Sequence, residues 1–187
     1  MKLGYAICGS FCTVPTSIRI LKKLTEDGHT VVPIMSLNAG KTDTRFGTAE
    51  EVRRQVVDLC GRKIVETLTD AEPLGPREPL DALLVCPCTG NTLAKLANGI
   101  TDTPVTLAVK AHLREDRPLV IALASNDAMS ANLGNIGTML NRKNVFFVPM
   151  KQDDLIKKPH SLVFEESLVP DALGNAMQNR QTYPLFR

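Results

Sequence analysis

The sequence contains no tryptophan, two tyrosines and six phenylalanines in 187 residues. Without aromatic platforms, recognition of single-stranded nucleic acid by base stacking is not expected. An excess of one charge is missing too: 22 basic and 20 acidic residues leave a formal net charge of +2. No basic field therefore speaks for nucleic acid or an anionic membrane. No apolar run reaches the ~20 residues of a membrane span. Met1 leads directly into a strand-like run, with no basic-then-apolar leader. These absences point to a cytoplasmic protein. Paired C-x₂-C spacing is absent among Cys8, Cys12, Cys60, Cys86 and Cys88, and His29, His112 and His160 show no ligand spacing. No metal site is expected. An odd cysteine count without a leader reads as reduced thiols. Cys8, Cys60 and Cys86 read as small core residues, whereas Cys12 and Cys88 fall in loops.

What is present is an alternation of short apolar runs and amphipathic helices, with 43% hydrophobic and 22% charged residues. Strands are expected at Leu3–Cys8, Val31–Met35, Lys63–Glu66, Ala82–Cys86, Pro118–Ala124 and Val145–Pro149. Helices are expected over Thr16–Asp27, from a Thr48-x-x-Glu51 capping box to Cys60, and over Pro104–Leu113. A further helix is expected after the polar junction Ser125–Met129, continuing to Leu140. Asn38–Gly47, Thr69–Pro79 and Met150–Pro159 read as loops. The pattern predicts an α/β fold: a Rossmann-like or flavodoxin-like doubly wound parallel sheet in three α/β/α layers. One domain is expected over 1–187, closed by a helix and tail from about residue 160.

The chain is organised around Asp81–Val105. Ala82–Cys86 is a buried strand that Pro87 is expected to end. Cys88-Thr89-Gly90-Asn91-Thr92 is a small polar loop, and a helix follows that stops at Asn98-Gly99. Strand, hydroxyl-rich loop and helix N-terminus make an anion site. Similar junctions follow the first strand (Gly9-Ser10-Phe11), the second (Ser36) and the fifth (Ser125-Asn126-Asp127). All fall at strand C-terminal ends, where doubly wound sheets bind ligands. G-x-G-x-x-G is absent, and Ser36-Leu37-Asn38 stands where a dinucleotide site keeps an acidic residue. A phosphate monoester fits better, and FMN better than NAD.

Pro87-Cys88-Thr89-Gly90-Asn91-Thr92, followed by Ala94-Lys95, Ala97 and Gly99-Ile100-Thr101-Asp102, resembles the signature of the flavin-dependent cysteine decarboxylase superfamily. Leu123-Ala124-Ser125-Asn126-Asp127-Ala128-Met129 is similar to that family's Pro-Ala-Met-Asn-x-x-Met motif, keeping Asn126 and Met129 but not the proline. The resemblance implies bound FMN, held by Gly9, Ser10, Phe11, Ser36, Cys88, Thr89, Asn91, Thr92 and Ser125. Nearly the whole chain resembles a narrower group within the family, the second subunits of a two-subunit sporulation enzyme. The residues that carry this are Cys8–Thr13, Thr69–Pro76, Pro87–Thr92, Lys110–Arg114, Ser125–Ala128, Val148–Asp154 and Lys158–Val163.

That resemblance implies a partner A subunit carrying NAD(P), and oxidation of dihydrodipicolinate to pyridine-2,6-dicarboxylate in the mother cell of a spore-forming bacterium. The hydride acceptor is either FMN or the partner's nicotinamide. Asn126 and Asp127 are the candidate catalytic pair, the amide to orient the ring and the carboxylate to take a proton, unless Asp127 only favours a helix N-terminus. Lys41 and Arg45 are expected at the substrate's carboxylates, with Lys110, His112 and Arg114 as further cations. A homo-oligomer is expected, with Leu162-Val163-Phe164 and Leu168-Val169 either at a subunit contact or over the chain's own core. Two departures separate this chain from the decarboxylases: no His lies between Met35 and Cys86, where they place a catalytic one, and their Gly-rich flap is missing. Decarboxylation of phosphopantothenoylcysteine is the alternative, and a non-catalytic partner subunit is another.

Overall fold

The computed structural model describes residues 1–187. In chain order it contains β1 (Lys2–Ile7), α1 (Val14–Glu26), β2 (Thr30–Met35), α2 (Leu37–Lys41), α3 (Ala49–Cys60), α4 (Leu68–Ala71) and β3 (Ala82–Cys88). Next come α5 (Gly90–Ala97), α6 (Pro104–Leu113), β4 (Leu119–Ser125), α7 (Leu133–Leu140), β5 (Val145–Phe147), β6 (Met150–Asp154), β7 (Lys158–Phe164) and α8 (Val169–Ala176). The sheet order is β2-β1-β3-β4-β7-β6, with β5 also on β4. β1 to β5 are parallel. The chain thus winds from β1 outward to β2, then back across β1 to β3, which places the switch point at the C-terminal ends of β1 and β3.

Both sheet faces are buried, as a parallel sheet under helices requires. Leu3, Tyr5, Ile7, Leu84 and Cys86 face one core, with α1 and α8; Ala6, Leu83, Val85 and Ile121 face the other, with α5 and α6. Tyr5 is buried with its hydroxyl donating to the Ser17 carbonyl at 2.8 Å, and Ser17 Oγ donates to the Cys86 carbonyl at 2.6 Å. Buried polar groups are satisfied in this way because an unmet one costs about 1–3 kcal/mol. On α1 the buried stripe is Val14, Ile20, Leu21 and Leu24, with Ile18 at its margin. The α3 capping box, its Gly61 stop in the left-handed region, and the Thr103 cap and Pro104 start of α6 all form as their sequences dictate.

Several expectations are corrected. Pro87 does not end β3: the ladder to β4 slips between Val85 and Cys88, and that irregularity tolerates a residue with no N–H. On the other side Pro87 needs only its carbonyl, which accepts from Cys8 N. Lys63–Glu66 is not a strand but a single bridge, Ile34 to Val65. The loop after β2 starts with α2, because the Ser36 side chain caps it by accepting from Ala39 N. The helix expected after the Ser125–Met129 junction begins only at Leu133, since the Asp127 carbonyl accepts from Ser130 N and Asn132 N and holds the intervening residues in turns.

The largest difference lies beyond β5. Residues 150–164 are an antiparallel hairpin, so the sheet is mixed rather than wholly parallel. The hairpin turns because the Asp154 carboxylate accepts from Ile156 N and Lys157 N, at 3.0 and 2.9 Å. β7 then pairs with the upper half of β4, Ala124 to Val163 and Ser125 to Leu162, above the half that β5 occupies. The closing helix therefore starts at Val169, not Ser161. Leu162, Phe164 and Val169 are buried in this chain's own core, which removes them as a subunit contact.

His112 gives the fold a pH dependence. It is buried, Nε2 donates to the Pro118 carbonyl at 2.9 Å, and Nδ1 has no partner. Burial, aided by the nearby Arg117 charge and opposed by the Pro118 bond, holds its pKa below the ordinary 6.5. The unfolded chain therefore takes up the proton first. The stability owed to neutral His112 is complete above pH 6.5 and declines as the pH falls below it toward the folded value. Denaturant midpoints should fall less steeply between about pH 7 and 5 for His112→Gln than for the parent, given one proton's linkage. Identical slopes would rule His112 out as the source.

Candidate functional site

The C-terminal ends of β1, β3 and β4 open into a cleft of about 670 Å³, within the usual span of small-molecule and cofactor sites. Its floor is built from three backbone turns. After β1, Gly9 and Ser10 lead into a single 3₁₀ turn, Phe11–Thr13, that feeds α1. Thr13 N–H and Oγ1 both donate to the Ser10 carbonyl, at 2.9 and 2.8 Å, while the Ser10 hydroxyl has no protein partner. The Phe11 ring folds back on the glycine: a Cβ at Gly9 would lie 3.4 Å from its Cζ and 3.3 Å from Asn38 Cβ. After β3, Thr89 caps α5, accepting from Thr92 N at 3.2 Å and donating to Thr92 Oγ1 at 3.1 Å. The first amides of such a helix have no intrahelical acceptor and favour an anion.

The third turn, after β4, carries the tightest geometry of the site. Ser125 Oγ donates to Asp127 Oδ1 at 2.5 Å, and Asn132 Nδ2 donates to Asp127 Oδ2 at 2.9 Å. Asn135 Nδ2 in turn donates to Asn132 Oδ1 at 2.9 Å. These bonds, that of Ser125 first, hold the Asp127 carboxyl below its usual pKa. The network presses on the start of α5. A Cβ at Gly90 would lie 2.3 Å from Ser125 Oγ, 2.6 Å from Asn132 Nδ2 and 2.8 Å from Asp127 Oδ1. Only glycine leaves room there. Asn126, between the two anchored residues, is exposed in the cleft.

The fourth wall comes from two segments that sequence reasoning left irregular. Arg45 stacks its guanidinium 4.8 Å from the Phe46 ring centre, and both line the cleft. The hairpin contributes Asp153 and Lys158, paired at 2.5 Å, together with Ser161 and Val163. The Asp154 turn chemistry between two charged segments was the one available sign of that hairpin.

The expected site residues divide accordingly. Gly9, Ser10, Phe11, Thr89, Ser125, Asn126, Asp127 and Arg45 line the cleft, joined by Cys12, Thr13 and Gly90. Ser36, Asn91, Thr92, Cys88 and Lys41 do not. Ser36 Oγ accepts from Ala39 N as the α2 cap, which leaves its hydrogen uncommitted, and Thr92 turns inward to donate to Cys8 Sγ at 3.4 Å. Asn91 is exposed on α5, and Lys41 is exposed at the end of α2. Cys88 is the last residue of β3 rather than part of a loop, and burial pushes its thiol well up. Burial likewise pushes Cys8 up to about 11 and Cys86 up to about 12, so these thiols stay protonated and serve as packing. Lys110, His112 and Arg114 belong to the other end of the sheet, where His112 meets Pro118 ahead of β4. No His side chain lines the cleft. A second cleft of about 440 Å³, between α1 and the start of α8, lies away from the strand ends.

A flavin mononucleotide fits what is here. The cleft is large enough, and the free Ser10 hydroxyl with the α5 amides suits a phosphate.

Comparison with known proteins agrees with this geometry. The chain is 38% identical over 185 residues to the B subunit of dipicolinate synthase of Bacillus subtilis (strain 168), covering 99% of this chain and 92% of that protein. The crystal structure of the dipicolinate synthase B subunit from Bacillus halodurans superposes with a TM-score of 0.91 at 34% identity, covering 100% of this chain and 95% of that one. A dodecameric FMN-dependent Ubix-like decarboxylase from Escherichia coli O157:H7 superposes at 0.66 with 26% identity over 80% of each chain. The Flavoprotein family model matches residues 1–164. The chain belongs to the Flavoprotein family and, within it, to the group of the dipicolinate synthase B subunits.

Proposed function

We propose that this chain is the B subunit of a dipicolinate synthase, holds FMN in the cleft, and acts with a nicotinamide-binding A subunit to oxidise dihydrodipicolinate to pyridine-2,6-dicarboxylate. The observation that carries the reading is a match over the full chain to B subunits, combined with a cleft that no His side chain lines. Decarboxylation that relies on an imidazole has no agent here. Aromatisation asks less of the protein: a bound flavin would supply an acceptor for the hydride, and the proton leaves to water in the open cleft.

This chain's residues then bind and orient. Ser10 and the first amides of α5 hold the phosphate, and Thr89 caps that helix. Arg45, which no carboxylate pairs, faces an anionic substrate. Asn126 orients the ring. Asp127 has both oxygens engaged and serves as the anchor of its loop rather than as the proton acceptor. The hairpin tip leaves Leu155 and Ile156 exposed at 70% and 90%, which suits a subunit contact beside the cleft, with a second copy or with the A subunit. A partner that carries NAD(P) goes with work in the cytoplasm. No helix is long and apolar enough to cross a membrane.

Titration with FMN tests the site. Saturable uptake with a perturbed flavin spectrum is expected. No uptake would remove the cofactor and leave a non-catalytic partner subunit.

A further inference from the structure

Lys110 and Arg114, which the cleft leaves unused, line a groove of their own. It lies between α5, α6 and the turn from α7 to β5, and measures about 460 Å³. Leu96, Val109 and Leu113 make an apolar floor. Lys110 and Arg114 stand on the α6 wall, and Arg142 and Lys143 stand on the wall formed by the α7–β5 turn. No carboxylate lines the groove. In the cleft at the strand ends, by contrast, Asp127 and Asp153 balance Arg45 and Lys158. An anion is therefore drawn to the groove more strongly than to the cleft. Arg142 spends one nitrogen, Nη1, on the Leu96 carbonyl at 3.1 Å. That bond fixes the guanidinium at the end of α5 and leaves its Nε–Nη2 edge open to a bidentate partner. Neither Arg142 nor Lys110 has a carboxylate partner, whereas Arg114 and Lys143 meet Glu115 at 3.7 Å and Asp116 at 2.9 Å. Those two pairs are exposed, hold little energy and yield to a better-placed anion.

We infer that this groove is a second ligand site, and that it takes a small organic dianion with a compact apolar body and an anionic group on each side. The floor receives the body, and the cations of each wall receive one anionic group. Inorganic phosphate has no body to place on the floor, and a monocarboxylate leaves the cations of one wall unmet. Pyridine-2,6-dicarboxylate has the required chemistry, and naming it as the ligand rests on the function proposed above. Product that leaves the cleft thus has a separate place to bind on the same chain.

Calorimetric titration of the full chain in metal-free buffer tests this, with pyridine-2,6-dicarboxylate, pyridine-2-carboxylate and inorganic phosphate as the ligands. The dicarboxylate should bind, and the other two should bind about tenfold more weakly or worse, the size of one lost charged contact. Lys110→Gln and Arg142→Gln should each weaken the dicarboxylate about tenfold as well. Arg45→Ala, in the cleft, should leave this binding as it is. Lys110 is exposed and unpaired, so its variant decides the matter if Arg142→Gln, which gives up the Leu96 bond, folds poorly. Binding lost in Arg45→Ala but kept in Lys110→Gln would put the ligand in the cleft and overturn the inference. Phosphate bound as tightly as the dicarboxylate would reduce the groove to a patch of charge and overturn it too, as would no binding of any of the three. Failure of the two subunits to form product in turnover would instead overturn the proposed function, and the titration would still decide the groove.

Discussion

Gly90→Ala should disable the cleft while leaving the chain folded. The added carbon would fall 2.3, 2.6 and 2.8 Å from Ser125 Oγ, Asn132 Nδ2 and Asp127 Oδ1. These are side-chain atoms, which ordinarily yield, but here each is tied to another by a hydrogen bond. One of those bonds must break or the start of α5 must lift away from β4. Either way the anchored turn that presents Asn126 is lost. Overpacking of this kind costs about 1–3 kcal/mol of stability. The loss for the ligand is of similar size, about ten- to a hundredfold in FMN affinity. Circular dichroism and flavin titration of the purified variant separate the two effects. Parental affinity in Gly90→Ala would mean that the crowding at α5 does not shape the site.

Gly75→Ala should act on stability alone. Gly75 is buried in the proline-dense loop after α4 and has a φ of +121°, which side-chain-bearing residues rarely adopt. Its Cβ would meet the carbonyl oxygen of Ala111 at 2.6 Å and the carbonyl carbon at 3.0 Å. These are backbone atoms in the last turn of α6, so no rotamer change relieves the contact. Clash and backbone strain together amount to about 3 kcal/mol. For a chain of this length that lowers Tm by roughly 6–12 °C. The loop packs at the His112 end of the sheet, so FMN affinity at low temperature should match the parent. An unchanged Tm would contradict the packing described for this loop.

The two glycines also show where sequence reasoning reached and where it stopped. Gly90 stands in a legible anion-site loop, and the convergence of strand-end loops on one cleft follows from the alternation of strands and helices. What pins Gly90, however, is Asn132, forty-two positions along the chain, and nothing local in Asn132 marks it as part of a site. Thr92 carried the right chemistry for a phosphate, yet its hydroxyl hydrogen is claimed by a nearer partner, Cys8 Sγ. Short hydroxyl side chains at helix starts face this competition routinely. The hairpin of β6 and β7 was hidden because its strands are charged and half-exposed, so no apolar alternation marks them. Its position on the upper half of β4 follows from β5 being only three residues long, which leaves that edge open.

Oxidation by the pair of subunits is expected to require this chain. The most direct measurement mixes this chain with the A subunit and dihydrodipicolinate, and follows the absorbance of the aromatic product with FMN and nicotinamide each present or withheld. Rapid formation of pyridine-2,6-dicarboxylate is expected only when both subunits are present. Full-rate formation by the A subunit alone, or release of CO₂ from phosphopantothenoylcysteine by this chain alone, would contradict it.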